Sequence, residues 1–301
     1  MSLTIVIPAY NEENGIGPVL DHLNQVLEAN SDNGFVYEIL VVDDGSEDNT
    51  KEVALQYDNI TVLQHRFNRG YGAGLKTGIR HASYDIICIT DADGTYPNDQ
   101  IPVLYNHFVD GSYDMVVGAR TGENVSIPLV RRPAKWFIGQ LANFVAGEPI
   151  PDINSGLRIF HKPVAQSFQQ ILPDGFSFTT TITLAMLTNN YRVDYLPINY
   201  AQRIGRSKIR PIRDTLNFIQ LILRIGLYFS PLKIFLPVSG VLFVISFILA
   251  LFTHFVLGQL ADISTLVIFM TAIQIGTVGL LAELINQRLE NRYRIEDHDE
   301  N

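Results

Sequence analysis

Asp91 and Asp93 flank one alanine directly after the apolar run Ile86 to Thr90. Carboxylates leaving a buried strand can turn into a single cleft, where their hard oxygens suit Mg²⁺ or Mn²⁺, ions that complete their shells with phosphate oxygens and water. A solvated turn with an N-capping Asp is the plainer use of the same residues. Asp43-Asp44-Gly45-Ser46 repeats the pattern after Val36 to Val42. Acids so placed can accept hydrogen bonds from a nucleobase N–H or ribose hydroxyls, or serve the turn alone. Seven basic residues and one acid, Asp214, lie between Arg203 and Lys233. Within that stretch Arg203, Arg206 and Lys208 could stabilise a departing diphosphate or face anionic lipid. Arg120, Arg131 and Arg132 could draw in an anionic head group, since guanidinium grips phosphate in bidentate fashion.

These residues need elements to position them. Leu3 to Pro8, Val36 to Val42, Ile60 to Gln64, Ile86 to Thr90 and Met115 to Gly118 read as strands. Glu12 to Ala29, Glu47 to Tyr57, Tyr71 to Ala82 and Asn98 to Val109 carry helical spacing between them. Val- and Ile-rich strands with helical crossovers predict a mostly parallel sheet, which binds ligands beyond the carboxyl ends of its strands. The polar residues above sit at those ends. Asn68-Arg69-Gly70-Tyr71-Gly72-Ala73-Gly74 misses the G-x-G-x-x-G spacing and follows the third strand, so it reads as a close-packed helix start. From about residue 125 to 210 the rhythm becomes less regular.

Composition sets the location. The 301 residues carry a formal charge of −9, which argues against nucleic acid as a partner. The single cysteine, Cys88, can form no internal disulfide, and its apolar surroundings fit a reducing compartment. Met1 to Pro8 has no charged n-region, so no signal peptide is expected. Pro211 to Ser230 reads as an amphipathic helix fit for the membrane interface. Residues 234–261 and 263–282 contain no Asp, Glu, Lys or Arg, and each run is long enough as a helix to cross a bilayer. Lys233 precedes the pair and Arg288, Arg292 and Arg294 follow it, so both ends are expected on the cytoplasmic side. The acidic tail after Arg288 reads as disordered.

Six motifs together resemble one family. Ile5-Val6-Ile7-Pro8-Ala9-Tyr10-Asn11-Glu12, Val41-Val42-Asp43-Asp44-Gly45-Ser46, Asp91-Ala92-Asp93 and Gly118-Ala119-Arg120 occur in the order of glycosyltransferase family 2. Asp152-Ile153-Asn154-Ser155-Gly156-Leu157-Arg158 and Arg203-Ile204-Gly205-Arg206-Ser207-Lys208 are similar to its dolichol-phosphate mannose synthase branch. The resemblance implies an α/β fold of the GT-A (Rossmann-like) type over 1–210, and a two-span tail also occurs in this branch; the charge pattern sets an interface helix over 211–232, a two-helix transmembrane hairpin over 233–287 and a tail over 288–301. It implies inverting transfer of a hexose from a nucleotide sugar, of the GDP-mannose or UDP-glucose type, to a polyprenyl phosphate. Pro8, Tyr10, Glu12, Val42, Asp43 and Asp44 then form the base and ribose pocket. Asp91 and Ala92 belong to the diphosphate segment. Asp91 and Asp93 hold the metal, with Thr95 where the branch often has a Gln ligand. Arg120, Arg131 and Ser155 face the acceptor phosphate, while Arg203 and Lys208 hold the donor phosphates. Asp93, Arg120 and Arg203 are the catalytic candidates.

Two other readings use the same residues: transfer to another lipid such as diacylglycerol, or a non-catalytic membrane subunit that binds nucleotide sugars. A homo-oligomer is left open.

Overall fold

A computed structural model describes residues 2–31, 36–121, 132–200, 211–258 and 262–299. Two compact units divide the chain, Met1–Phe218 and Ile219–Asn301.

The first unit is built on seven strands: β1 (Ser2–Ala9), β2 (Val36–Asp43), β3 (Ile60–Gln64), β4 (Ile86–Ile89), β5 (Met115–Ala119), β6 (Arg158–His161) and β7 (Val193–Pro197), in the order β3-β2-β1-β4-β6-β5-β7. β1 pairs in parallel with both β2 and β4, and β5 with β7, whereas β6 runs antiparallel between β4 and β5. The carboxyl ends of β1, β2, β4, β5 and β7 therefore open on one rim. β6 enters the sheet from that rim, bringing residues 152–157 with it. Strand order reverses between β1 and β4, which is where such sheets hold ligands.

Six helices are needed to follow the site: α1 (Ile16–Ser31), α2 (Thr50–Ala54), α3 (Tyr71–His81), α4 (Ile101–Asp110), α5 (Arg132–Ala146) and, after the short α6 (Lys162–Ser167), α7 (Phe178–Thr188). Leu20, Leu23 and Leu27 of α1 pack with Ile5, Ile7, Ile39 and Val41, joined by Leu104 and Phe108 of α4. α3 lies closer to the sheet because its inner positions lack side chains. A Cβ on Gly74 would stand 3.2 Å from Pro8 Cβ, and one on Gly78 would stand 2.2 Å from Val6 Cγ1. The glycine-rich segment is thus the close-packed helix start expected of it. Gly78→Ala is expected to cost about 1–3 kcal/mol by overpacking, read as a lower urea midpoint of the solubilised full chain with an unchanged slope.

α8 (Pro211–Phe229) is followed in the second unit by α9 (Pro231–Leu257) and α10 (Ile263–Asp299). Pro231–Val256 and Ile263–Asn286 have mean hydropathies of 2.7 and 2.0 with only 6% and 17% of their apolar windows buried, so both leave apolar surface for lipid. Ser239 donates to the Ala272 carbonyl at 2.8 Å, and Gly276 lies against Ser239, the small-residue contact that lets helices approach closely without water. Glu283 accepts from the Leu232 N–H at 3.2 Å and Asn286 donates to the Phe229 carbonyl at 3.0 Å, satisfying backbone groups left open at the α8–α9 bend. The tail differs from expectation: α10 runs on through Asp299, where Gln287 to Asp299 is rich in helix formers and has neither Gly nor Pro.

Candidate active site

The first two loops of the rim are stitched into one wall. The Asn11 N–H donates to Ser46 Oγ at 3.0 Å, and the Glu47 N–H donates to Asn11 Oδ1 at 2.8 Å. Asn11 sits at φ 55°, a left-handed geometry that Asn tolerates better than most residues. The Glu12 N–H donates to Thr50 Oγ1, and its carbonyl accepts from Gly15 and Ile16 as α1 begins. A Cβ on Gly15 would lie 2.6 Å from the Ala92 carbonyl and 3.3 Å from Asp93 Cα, so this wall touches the Asp91–Asp93 turn.

The adjacent acids Asp43 and Asp44 have different tasks. Asp43 is fully buried, its Oδ1 accepts from the Ser46 N–H at 3.1 Å, and its Oδ2 has no partner among the described residues. An unsatisfied buried carboxylate oxygen costs free energy until a donor arrives, the condition that a nucleobase N–H or ribose hydroxyl would relieve. Asp44, expected beside the nucleotide, is only 3% exposed and makes three contacts with the neighbouring loop. Its oxygens take the Arg69 N–H at 3.0 Å, the Gly70 N–H at 2.7 Å and His65 Nδ1 at 2.6 Å, while His65 Nε2 meets Thr77 Oγ1 at 2.8 Å. These contacts tie Asp44 to the β3–α3 loop. Pro8 and Val42 likewise lie buried beneath α3 at Gly74, packed there by strand alternation. Tyr10 is exposed at the rim.

The Asp91–Asp93 turn is supported from behind. Asp91 Oδ1 accepts from the Tyr71 hydroxyl at 2.9 Å. Burial, together with the Asp91 charge, holds the Tyr71 phenol well above its ordinary pKa, so it stays a donor. A Cβ on Gly156 would stand 2.9 and 3.0 Å from the two Asp91 oxygens; only glycine leaves that carboxylate its place. Asp93 Oδ1 accepts from both the N–H and the hydroxyl of Thr95, at 3.1 and 2.6 Å. Thr95, expected as a metal ligand, is buried, and both its N–H and its hydroxyl are directed to Asp93. Ala92 is buried with its carbonyl turned toward Gly15.

A second cluster completes the rim. Arg120 Nε and Nη2 bind Asp152 Oδ2 and Oδ1 at 2.7 and 2.9 Å, and Nη2 also reaches Asn154 Oδ1 at 2.7 Å. The guanidinium lies 5.2 Å from the centroid of the Tyr200 ring. Burial alone would push the Asp152 pKa up, but hydrogen bonds from Arg120 outweigh it and hold the carboxyl below its ordinary range. Nη1 of Arg120 has no hydrogen-bond partner among the described residues. Tyr96 joins the clusters, accepting the Gly156 N–H at 2.6 Å and meeting Tyr200 edge-on. Ser155, expected at the acceptor phosphate, is buried with its hydroxyl on the Gly118 carbonyl at 2.5 Å. That bond ties the end of β5 to the segment leading into β6.

Arg158 closes one of the family motifs, but the sequence assigns its side chain no role. Its side chain is 0% exposed, with Nη1 bonded to the Thr179 carbonyl at 3.0 Å and Thr183 Oγ1 at 2.8 Å, while Nε and Nη2 hold the Ser155 carbonyl. Desolvation lowers its pKa, and Tyr71 and Asp152 lie within its electrostatic reach. The available signal was a full charge inside the apolar run Leu157 to Phe160. Arg131, Arg203 and Lys208 lie outside the described residues.

Two carboxylates two residues apart, half-exposed and facing a glycine, fit a divalent cation. No cluster of three or more His, Cys, Asp or Glu gathers among the described residues, so an ion held by Asp91 and Asp93 would need further ligands such as phosphate oxygens and water.

The family model described as glycosyl transferase family 2 matches residues 4–168. The chain belongs to that family. A second model, the GtrB C-terminal hairpin, matches residues 230–287, the segment of the two apolar helices, and marks this family 2 chain as membrane-associated. A dolichyl-phosphate hexose transferase of Haloferax volcanii is 28% identical over 69% of this chain and 87% of its own length. A dolichyl-phosphate beta-glucosyltransferase of Trichomonas vaginalis is 28% identical over 78% and 76%. Among solved structures, glucosyl-3-phosphoglycerate synthase from Mycobacterium tuberculosis, in complex with Mn²⁺, uridine diphosphate and phosphoglyceric acid, is similar with a TM-score of 0.56 over 75% of this chain and 78% of that one, at 20% identity. That likeness supports the GT-A architecture. The family 2 chain is a glycosyltransferase with an α/β, mostly parallel sheet followed by two helices long and apolar enough to span a membrane.

Proposed function

We propose that this enzyme transfers a hexose from a nucleotide sugar to a polyprenyl phosphate, giving a lipid-linked monosaccharide. The carrying observation is the union in one chain of a family 2 domain and a GtrB-type hairpin, which brings sugar transfer to an acceptor held in lipid. The names of the Haloferax and Trichomonas relatives point to the same acceptor class.

In this reading Asp43 Oδ2 takes a donor group from the base or ribose, with Tyr10 and Glu12 at the same wall. Asp91 and Asp93 would hold Mg²⁺ or Mn²⁺, which supplies Lewis-acid stabilisation of the charge on the leaving diphosphate. An acceptor phosphate is largely dianionic at neutral pH, so its oxygen attacks the anomeric carbon without a strong base as the bond from that carbon to the diphosphate oxygen breaks. Arg120 Nη1 orients the acceptor, and catalysis is mainly positioning. Arg203 and Lys208 would contact the donor phosphates, and Arg131 the acceptor.

In this reading residues 1–210 form the catalytic part, 211–232 the interface helix, 233–287 the spanning hairpin and 288–301 the tail; Arg224 and Lys233 before the hairpin and Arg288, Arg292 and Arg294 after it favour a cytoplasmic catalytic part. Trp136, Phe137 and Phe144 are exposed on α5 and would dock to the lipid surface in this reading.

Membranes containing the protein, given radiolabelled GDP-mannose or UDP-glucose and a polyprenyl phosphate, are expected to yield a labelled prenyl lipid that EDTA abolishes and Mn²⁺ restores. Labelled diacylglycerol instead would replace the acceptor, and absence of turnover with every lipid would overturn the enzymatic reading.

A further inference from the structure

We propose that Tyr71 is a positioning residue that fixes Asp91 for the cation, and that Asp44 acts through it. The inference rests on the reading of Asp91 as a cation ligand. It accounts for the glycine-rich segment, which the function above leaves unused.

The chain of contacts is continuous. Asp44 takes the N–H groups of Arg69 and Gly70 at 3.0 and 2.7 Å, fixing the turn before α3. Gly70 has φ 107°, a conformation that other residues rarely adopt. Gly72 keeps the helix start against the next wall, since a Cβ there would stand 2.2 Å from the Pro173 carbonyl. Between these two glycines Tyr71 projects its hydroxyl onto Asp91 Oδ1 at 2.9 Å. Its ring stacks on Phe176, with centroids 5.5 Å apart and planes 4° from parallel. Phe176 is 80% exposed, so the stack steadies the ring without sealing it in.

Gly156 borders the Asp91 carboxylate on another side. With Oδ1 engaged by the phenol, the orientation of the carboxylate is set before an ion arrives. Partners that orient metal ligands typically change metal affinity roughly 10–100-fold when removed.

Tyr71→Phe keeps the ring and its stack while deleting the hydroxyl, and Phe176→Ala removes the stack while leaving the hydroxyl. Mn²⁺ binding to the solubilised full chain is titrated by electron paramagnetic resonance with saturating uridine or guanosine diphosphate, alongside thermal unfolding. The expected result is a roughly tenfold or greater weakening of Mn²⁺ in Tyr71→Phe, with an unchanged unfolding midpoint and an effect several-fold smaller in Phe176→Ala. A higher Mn²⁺ concentration should restore part of the lost activity. Wild-type Mn²⁺ affinity in Tyr71→Phe, or equal losses in both variants, would overturn the positioning role while leaving the cation reading standing. A wild-type protein that binds no Mn²⁺ and ignores EDTA would overturn both.

Discussion

Asp93→Ala is expected to lower kcat by about 10³-fold or more, because loss of a cation ligand removes several kcal/mol of stabilisation from the leaving diphosphate and each 1.4 kcal/mol is worth tenfold. Structure makes the obvious variant ambiguous. Asp93 Oδ1 also anchors the N–H and hydroxyl of Thr95, so alanine loosens the turn as well as removing a charge. Asp93→Asn separates the two effects, since its amide oxygen can still accept from Thr95. If the carboxylate serves the cation, both variants lose turnover and Asn keeps the wild-type unfolding midpoint. If it serves the turn, Asn restores the rate. Assays across a Mn²⁺ series and thermal unfolding of the full chain decide between them.

The division of labour at Asp93 and Thr95 shows where sequence reasoning succeeds and where it stops. β1, β2, β3, β4 and β5 were legible because Val- and Ile-rich runs of strand length end in polar turns, and those ends defined the rim. The charge-free runs that became α9 and the first part of α10 were equally plain. β6 was not, since Arg158 interrupts its apolar pattern and its antiparallel entry depends on partners 40 or more residues distant. Asp43 and Asp44 are neighbours of one type, and only the folded loop shows that Asp44 is spent on His65, Arg69 and Gly70. Ser155 and Thr95 each have a hydroxyl bonded inside the fold, as buried hydroxyls usually are, and no linear spacing shows those partners. Tyr71 was hidden differently. Its motif was recognised as packing, and nothing in a linear spacing aims a phenol at an acid twenty residues later.

Asp152→Ala should do more harm to the fold than its distance from Asp91 suggests. The Arg120–Asp152 pair is largely buried, with side-chain exposures of 23% and 10%, and Asp152 accepts the Arg120 backbone N–H as well as two guanidinium bonds. Removing one partner strands a charge in a poorly solvated place, which costs about 3 kcal/mol for such pairs. In a domain of this size that corresponds to a fall of roughly 6–12 °C in the unfolding midpoint. Asn154 and the Tyr200 ring keep Arg120 near its place, so the loss need not scatter the site. Function then moves in opposite directions for the two partners. Arg120→Ala should raise the KM for polyprenyl phosphate, whereas Asp152→Ala leaves a cation without its neutralising acid and should lower it. The pH dependence has a definite sign: Asp152 is held below its ordinary pKa in the folded chain, so its contribution is complete above the unfolded value near 4 and fades as pH falls through the folded one. The stability gap between wild type and Asp152→Asn is therefore expected to be level between pH 5 and 8, by this argument, and to close below about pH 4. A gap unchanged in acid would show that the pair contributes through shape and not through charge.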